Sequence, residues 1–259
     1  MDLVGAFIWR VVGPVSPSLK ARLLWPRSED DAVKAVVADV VSPGDTVLDV
    51  GANIGLFTDH LARVVGPQGR VIAFEPHPAY ARDLSRIADA RKNVTLITAA
   101  VSDTPGSARL SVPEMTSGPN RTMGSLQPRP EASQGEVVDV PTTTLDEATA
   151  SASGVRLLKI DVEGHEHEAL LGGRGLLGRE RPVVMLEAEQ RHRQTPVAET
   201  FKLLRDLGYE GQMLTERGPR PLDEFDVERD QLALIASDPA TARPPDGYVN
   251  NFVFTPAPR

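Results

Sequence analysis

The chain has no cysteine, which excludes disulfide bridges, a thiolate nucleophile and thiolate metal ligands. It also lacks a basic excess: 36 acidic residues against 28 Lys and Arg leave a formal net charge of -8 and a pI near 5.2. Binding a nucleic-acid backbone draws on clustered Lys and Arg, so the expected partner is a small molecule and not a nucleic acid. A long apolar run is missing too. Leu3 to Val15 comes closest, but Arg10 interrupts it and no basic residue precedes it. It therefore reads as a packed amphipathic helix, neither a signal peptide nor a membrane span. No pattern repeats along the 259 residues, and 41% hydrophobic content over that length suits one large α/β domain. These absences give the expectation of a cytoplasmic protein without membrane insertion. They leave the oligomeric state open, a homodimer included.

What is present is an alternation of strand and helix signals from about residue 30 onward. Asp30 to Val41 has helical spacing, Ser42-Pro43-Gly44-Asp45 is a turn, and Thr46 to Val50 is an apolar, β-branched run suited to a central strand. Leu56 to Val65 reads as a helix, Arg70 to Glu75 as a second strand, Pro78 to Ala90 as a helix and Val94 to Val101 as a third strand. The βαβαβ order with short connections implies a Rossmann-like, doubly wound parallel sheet. Between 103 and 144 the order breaks. Ala108 to Val112 and Glu136 to Val140 look like short strands around a stretch rich in Gly, Ser, Pro, Asn and Thr, a lid-like hairpin excursion with a mobile tip. Arg156 to Ile160 is then a fourth strand, Glu166 to Leu177 a helix, Val183 to Glu187 a fifth strand and Val197 to Leu207 a helix. Leu232 to Ser237 and Asn251 to Thr255 finish as strands, paired antiparallel because the Pro-rich link between them lacks helical spacing.

Two segments carry chemistry. Thr46 to Thr58 reads TVLDVGANIGLFT, and Lys159 to Glu166 reads KIDVEGHE. In the first, Gly51 and Gly55 bracket Asn53 between a strand and a helix amino terminus, where free N–H groups and the positive dipole end favour a polar or anionic ligand. It is not the dinucleotide fingerprint G-x-G-x-x-G, since Asn53 fills the middle position. Glu75 ends the second strand about twenty residues on, where a carboxylate can accept both hydroxyls of a ribose. In the second, a core strand ends in a burst of ionisable groups that face a ligand more plausibly than a core.

DVGANIGLFT, the following Phe74-Glu75-Pro76, Ala100 to Asp103 (AVSD), Thr143 to Glu147 (TTLDE) and LLKIDVEGHE, in that order, resemble the FkbM family of S-adenosylmethionine-dependent methyltransferases. The resemblance runs from about residue 30 to the carboxyl end, giving an amino-terminal helical segment over 1–29 and a methyltransferase domain over 30–259. It implies a seven-stranded Rossmann-like sheet, mostly parallel with an antiparallel last strand, and methylation of an oxygen of a sugar, polyketide-type natural product or glycolipid. It implies that Asp49, Gly51, Asn53 and Gly55 surround the methionine part, with Asp49 near its amino group. Glu75, followed by Pro76, would hold the ribose; Ala100, Val101 and Ser102 would border the adenine; Asp161 would lie near the sulfur.

The remaining task is removal of the acceptor proton. His165, in the first turn of a helix beginning near Gly164, is the candidate base, while His167 lies about 200° further round and points away. A second mechanism uses Asp161 and Glu187 side by side, with Glu163, Glu189 or a histidine, to hold Mg²⁺ by oxygen ligation. The competing functions are a NAD-dependent oxidoreductase, served equally by the βαβ unit and Glu75, and a non-catalytic cofactor-binding regulator.

Overall fold

The computed structural model describes residues 31–112, 125–127, 136–236 and 245–258. The expected amino-terminal helix and most of the excursion's tip lie outside the described residues. The chain runs α1 (Asp31–Val40), β1 (Thr46–Val50), α2 (Leu56–Val65), β2 (Arg70–Phe74), α3 (Pro78–Ala90), β3 (Val94–Ile97), β4 (Ala100–Val101), β5 (Gly106–Val112) and β6 (Glu136–Thr143). It continues through α4 (Leu145–Ala148), β7 (Val155–Ile160), α5 (Glu166–Leu171), α6 (Arg174–Glu180), β8 (Val183–Glu187), α7 (Val197–Asp206), β9 (Tyr209–Thr215), β10 (Gly218–Pro221), α8 (Ala233–Ala236) and β11 (Asn251–Pro256).

The main sheet has eight strands in the order β10-β9-β11-β8-β7-β1-β2-β3. From β8 to β3 every pairing is parallel, whereas β11 runs antiparallel to both β8 and β9, and β10 antiparallel to β9. Strand alternation sorts the central strands between two cores. One face carries Leu48, Val50, Ile72, Phe74, Leu158, Ile160, Val184 and Leu186 against α5, α6 and α7. The other carries Val47, Val71, Leu157 and Met185 against α1 and α2. Each such side chain, fully buried, contributes roughly 1.5–3 kcal/mol. In the second row the apolar sequence ends at the carboxyl edge: Asp49 follows Val47, Lys159 follows Leu157, and Glu187 follows Met185. The same row that anchors α1 and α2 thus delivers polar groups to the rim where open α/β sheets bind ligands.

Several expectations need correction. The sheet has eight strands instead of seven, because Tyr209 to Pro221 adds the antiparallel hairpin β9-β10. Leu232 to Ser237 is not a strand: Glu228–Leu232 is a π-turn running into α8, with Ser237 outside the described residues. The expected third strand breaks after Ile97, and Ala100–Val101 joins a separate three-stranded sheet, β4-β6-β5. The helix expected over Glu166 to Leu177 divides at Gly172-Gly173, where Cβ atoms would strike the Ser102 carbonyl and the Leu145 side chain. The excursion does begin as an antiparallel hairpin, β5 with β6.

Candidate cofactor site

β1 leaves the sheet through a turn in which Gly51 has φ 80°, Asn53 φ 52° and Gly55 φ 85°. That region is open to glycine and tolerated by asparagine, whose Oδ1 accepts from the Ile54 N–H at 2.7 Å. A Cβ on Gly51 would sit 1.9 Å from the Asp161 carbonyl oxygen, so the turn and the end of β7 meet backbone to backbone. A Cβ on Gly55 would meet Leu84 and Ile87 of α3, which makes this glycine a helix-packing residue.

Glu75, 5% exposed, fastens the end of β2 to that turn. Its Oε2 accepts from the Asn53 N–H and its Oε1 from the His77 N–H, each at 2.7 Å. Burial raises its pKa to about 7 against the lowering effect of those two bonds. Pro76 separates it from His77, the N-cap of α3. Asp49 is wholly buried beneath the turn. Thr58 Oγ1 donates to its Oδ2 at 2.6 Å, and its Oδ1 lies 3.6 Å from Lys159 Nζ. Burial raises the Asp49 pKa, while Lys159 and Thr58 oppose the rise.

Ala100, Val101 and Ser102 are all buried where β4 ends. Ser102 Oγ lies 3.0 Å from His165 Nε2, so the candidate base stands against the segment assigned to the adenine. His165 caps α5 by position but makes no capping hydrogen bond. Its side chain is 13% exposed, and its Nδ1 lies 3.6 Å from Glu168 Oε2. A carboxylate on that side favours the tautomer with the proton on Nδ1, leaving Nε2 as the acceptor. Burial lowers the His165 pKa, against Glu168 and Asp103, which raise it. His167 points away as expected, its Nδ1 3.5 Å from Thr200 Oγ1 on α7.

The Asp161 side chain, 31% exposed, is held by Lys159 Nζ at 3.1 Å. Glu163, at φ 53°, accepts through its carbonyl from Ser125 Oγ at 2.6 Å, and its carboxylate pairs with His192 Nδ1 at 2.7 Å. Glu166 turns back to accept from the Gly164 N–H at 2.7 Å and pairs with Arg193 at 3.3 Å; burial pushes its pKa up to about 7. Glu187 accepts from Asn250 Nδ2 at 2.9 Å. Its pKa is raised well above the ordinary value by burial and by the Asp161, Glu163 and Glu189 carboxylates. Glu189 accepts from the Tyr248 hydroxyl at 2.6 Å.

Asp161 and Glu187 do not fit the divalent cation expected of them. Among the described residues no group of three or more His, Asp or Glu side chains converges with metal-ligand spacing. Asp161 is ion-paired with Lys159, and Glu187 is occupied by Asn250. The residues that sequence reasoning missed are Lys159, Thr58, Ser125, Glu168, His192 and Arg193. Lys159 left a legible signal, a lone cation inside the apolar run Leu157, Leu158, Ile160. Thr58 and Glu168 are near neighbours of Asp49 and His165, while Ser125, His192 and Arg193 are partners brought in from other segments.

A doubly wound sheet with a glycine turn over β1 and a buried carboxylate closing β2 is a Rossmann-like fold of the kind that binds a nucleoside-bearing cofactor. Residues 49–210 match the model of the methyltransferase FkbM domain. As this is more than half of the chain, the protein belongs to the FkbM family of S-adenosylmethionine-dependent methyltransferases. The crystal structure of methyltransferase FkbM from Methylobacillus flagellatus KT is similar with a TM-score of 0.51 and 16% identity, over 98% of this chain and 61% of that one. A SAM-dependent O-methyltransferase from Thermotoga maritima gives a TM-score of 0.46 and 16% identity, over 94% and 72%. The rRNA 2'-O-methyltransferase fibrillarin of Giardia intestinalis is 40% identical over 85 residues, which are 32% of this chain and 26% of that relative. The chain therefore spans about a quarter of that curated relative and under two thirds of the FkbM structure. Among the described residues no helix is long and apolar enough to cross a membrane.

Proposed function

We propose that the protein transfers the methyl group of S-adenosylmethionine to a hydroxyl oxygen of a small polar molecule, a sugar, polyketide-type natural product or glycolipid, in the cytoplasm. The observation that carries this reading is the direct joining of the two motifs: Gly51 against the Asp161 carbonyl on one side, and Asn53 hydrogen-bonded to Glu75 on the other. When bound, S-adenosylmethionine supplies a methyl carbon already attached to a good leaving group. The chain's own contribution is alignment and proton removal, and alignment alone is worth up to ~7–11 kcal/mol.

In this reading the second lone pairs of the Glu75 oxygens take the ribose hydroxyls, and Ala100, Val101 and Ser102 cover the adenine. Gly51, Asn53 and Gly55 shape the turn around the methionine part, with Asp49 supporting it from below, and Asp161 faces the sulfonium side. His165 accepts the acceptor proton at Nε2, directly or through Ser102 Oγ, as the new O–C bond forms and the C–S bond breaks. Its burial keeps the ring neutral near pH 7, the state a base requires. Glu163, Glu187, Glu189 and Tyr248 give the far side of the rim hydrogen-bonding groups suited to a polyhydroxylated acceptor.

Calorimetric titration with S-adenosylmethionine and with NADH tests the cofactor, and transfer of a labelled methyl group onto sugars, polyketide alcohols, glycolipids and RNA tests the acceptor. Binding of S-adenosylmethionine without NADH, with label in a small-molecule ether, is expected. NADH binding would favour the oxidoreductase, cofactor binding without turnover on any acceptor the regulator, and label in RNA would overturn the small-molecule assignment.

A further inference from the structure

We propose that Lys159 is a positioning residue that locks the β1 turn and Asp161 into a single cofactor-holding unit. The inference rests on the S-adenosylmethionine reading above and adds a residue to which that reading gives no role. Lys159 lies inside β7, in register with Asp49 on β1 and Met185 on β8, and it follows the apolar Leu157 on the same face of the strand. Its side chain is 12% exposed, and it sits over the Phe57 ring of α2 with Nζ 5.6 Å from the centroid. From there Nζ reaches the carboxyl edge. It lies 3.1 Å from Asp161 Oδ2, 3.5 Å from the Gly51 carbonyl oxygen and 3.6 Å from Asp49 Oδ1.

A methionine or leucine would fill the same strand position without bringing an ammonium out of water, and buried ion pairs are commonly no more stabilising than apolar side chains of like volume. The geometry gives the ammonium another use. Gly51 is the left-handed residue that opens the cofactor turn, and its carbonyl and Asp161 belong to different motifs about a hundred residues apart. Three acceptors around one cation fix the orientation of both. The groups facing Nζ are Asp49 from β1, Asp161 from its own strand end, Glu187 from β8 and the Phe57 ring from α2, with Glu75 beyond Asp49. Burial opposes the charge of Lys159, but Asp161, Asp49 and Glu187 outweigh it and raise its pKa, so the cation persists at any working pH. A permanent cation whose partners are a cofactor-turn carbonyl and the carboxylate nearest the sulfur acts on binding through those partners. Its own contact with the ligand is not required.

The test is a double-mutant cycle in cofactor affinity. S-Adenosylmethionine binding is measured by calorimetry for the full-length wild type, Lys159→Met, Asp161→Asn and the double variant, with a thermal melt of each. If Lys159 acts by holding Asp161, each single variant loses about tenfold in affinity and the double variant is no weaker than the worse single, a non-additivity typical of contacting residues. A residue that only fills the strand would lower the melting temperature and leave the affinity of the folded protein alone. Lys159→Met binding within twofold of wild type, or losses that multiply in the double variant, would overturn the inference and leave the methyltransferase reading intact. Failure of the wild type to bind S-adenosylmethionine would instead remove that reading itself. Should Lys159→Met not fold, because Asp49 is left charged and buried, the same cycle is run in an Asp49→Asn background, where the same outcomes decide.

Discussion

Glu75→Gln is the perturbation whose consequences the structure fixes most closely. Wild-type Glu75 accepts two backbone N–H groups in a buried site, and its pKa rises from 4.5 to about 7. At about 1.4 kcal/mol per pH unit that rise corresponds to roughly 3 kcal/mol. The sign follows from the folded state holding the proton more tightly than the unfolded chain. The stabilising contribution is complete below the unfolded pKa near 4.5 and is lost as pH rises through about 7. Glutamine does not titrate, but its amide nitrogen must face one of the two N–H donors, at a cost of about 1–3 kcal/mol at every pH. The variant is therefore less stable than wild type at pH 5, and the gap closes or reverses by pH 8.5. Urea unfolding across that range measures it, and Glu166, whose pKa also lies at about 7, cancels in the difference because both proteins carry it. A gap that stays constant with pH would refute the reasoning. Calorimetry adds the ligand: loss of a charge-assisted acceptor for ribose hydroxyls weakens S-adenosylmethionine by about 1.5–3 kcal/mol. Affinity unchanged within twofold would remove Glu75 from the site.

His165→Ala should lower the methyl-transfer rate by ~10²–10⁴ with cofactor affinity nearly unchanged. Because burial lowers the His165 pKa, the wild-type rate should climb through an ionisation below the ordinary histidine value and be flat at pH 8, as read from a pH–rate profile. Asp49→Ala should lower the melting temperature as well as cofactor affinity, since it strands Thr58 and leaves Lys159 without one of its counter-charges, a loss of about 3–5 kcal/mol for breaking a buried pair. Gly51→Ala should fold poorly or not at all, because its Cβ would overlap the Asp161 carbonyl at 1.9 Å and φ 80° is itself strained for alanine; circular dichroism and solubility report it.

The sequence made most of the parallel half of the sheet legible because β1, β2 and β7 are compact apolar runs closed by Gly51, Glu75-Pro76 and Asp161. The limits of α2, α3 and β8 coincide with the spacing pattern. The remaining elements are less legible for identifiable reasons. Tyr209 to Pro221 alternates weakly and contains two prolines, and Pro219 and Pro221 are tolerated because β10 is an edge strand. Leu232 to Ser237 is apolar enough for a strand, yet Gln231 settles the matter: its amide bridges the Ala188 and Val249 carbonyls and the Gln190 N–H, which a π-turn allows. Val94 to Val101 reads as one strand, and only the pairing partners, β2 on one side and β6 on the other, divide it.

Sequence alone determined the family motifs, the order of the strands that carry them and the identity of Glu75, Asp161 and His165 as the groups to examine, because local spacing and turn chemistry encode where a strand must end. Tertiary structure decided what each of those groups touches. Asp49 lies under the turn with Thr58 and Lys159, Glu75 is already engaged by two backbone N–H groups, His165 meets Ser102, and Asp161 is held by a lysine. Several of these contacts join separate segments, Asn53 with Glu75, Ser102 with His165 and Asp49 with Lys159. Strand pairing and burial set them, and a side chain's charge and hydrogen bonds follow from that packing, which no local pattern records.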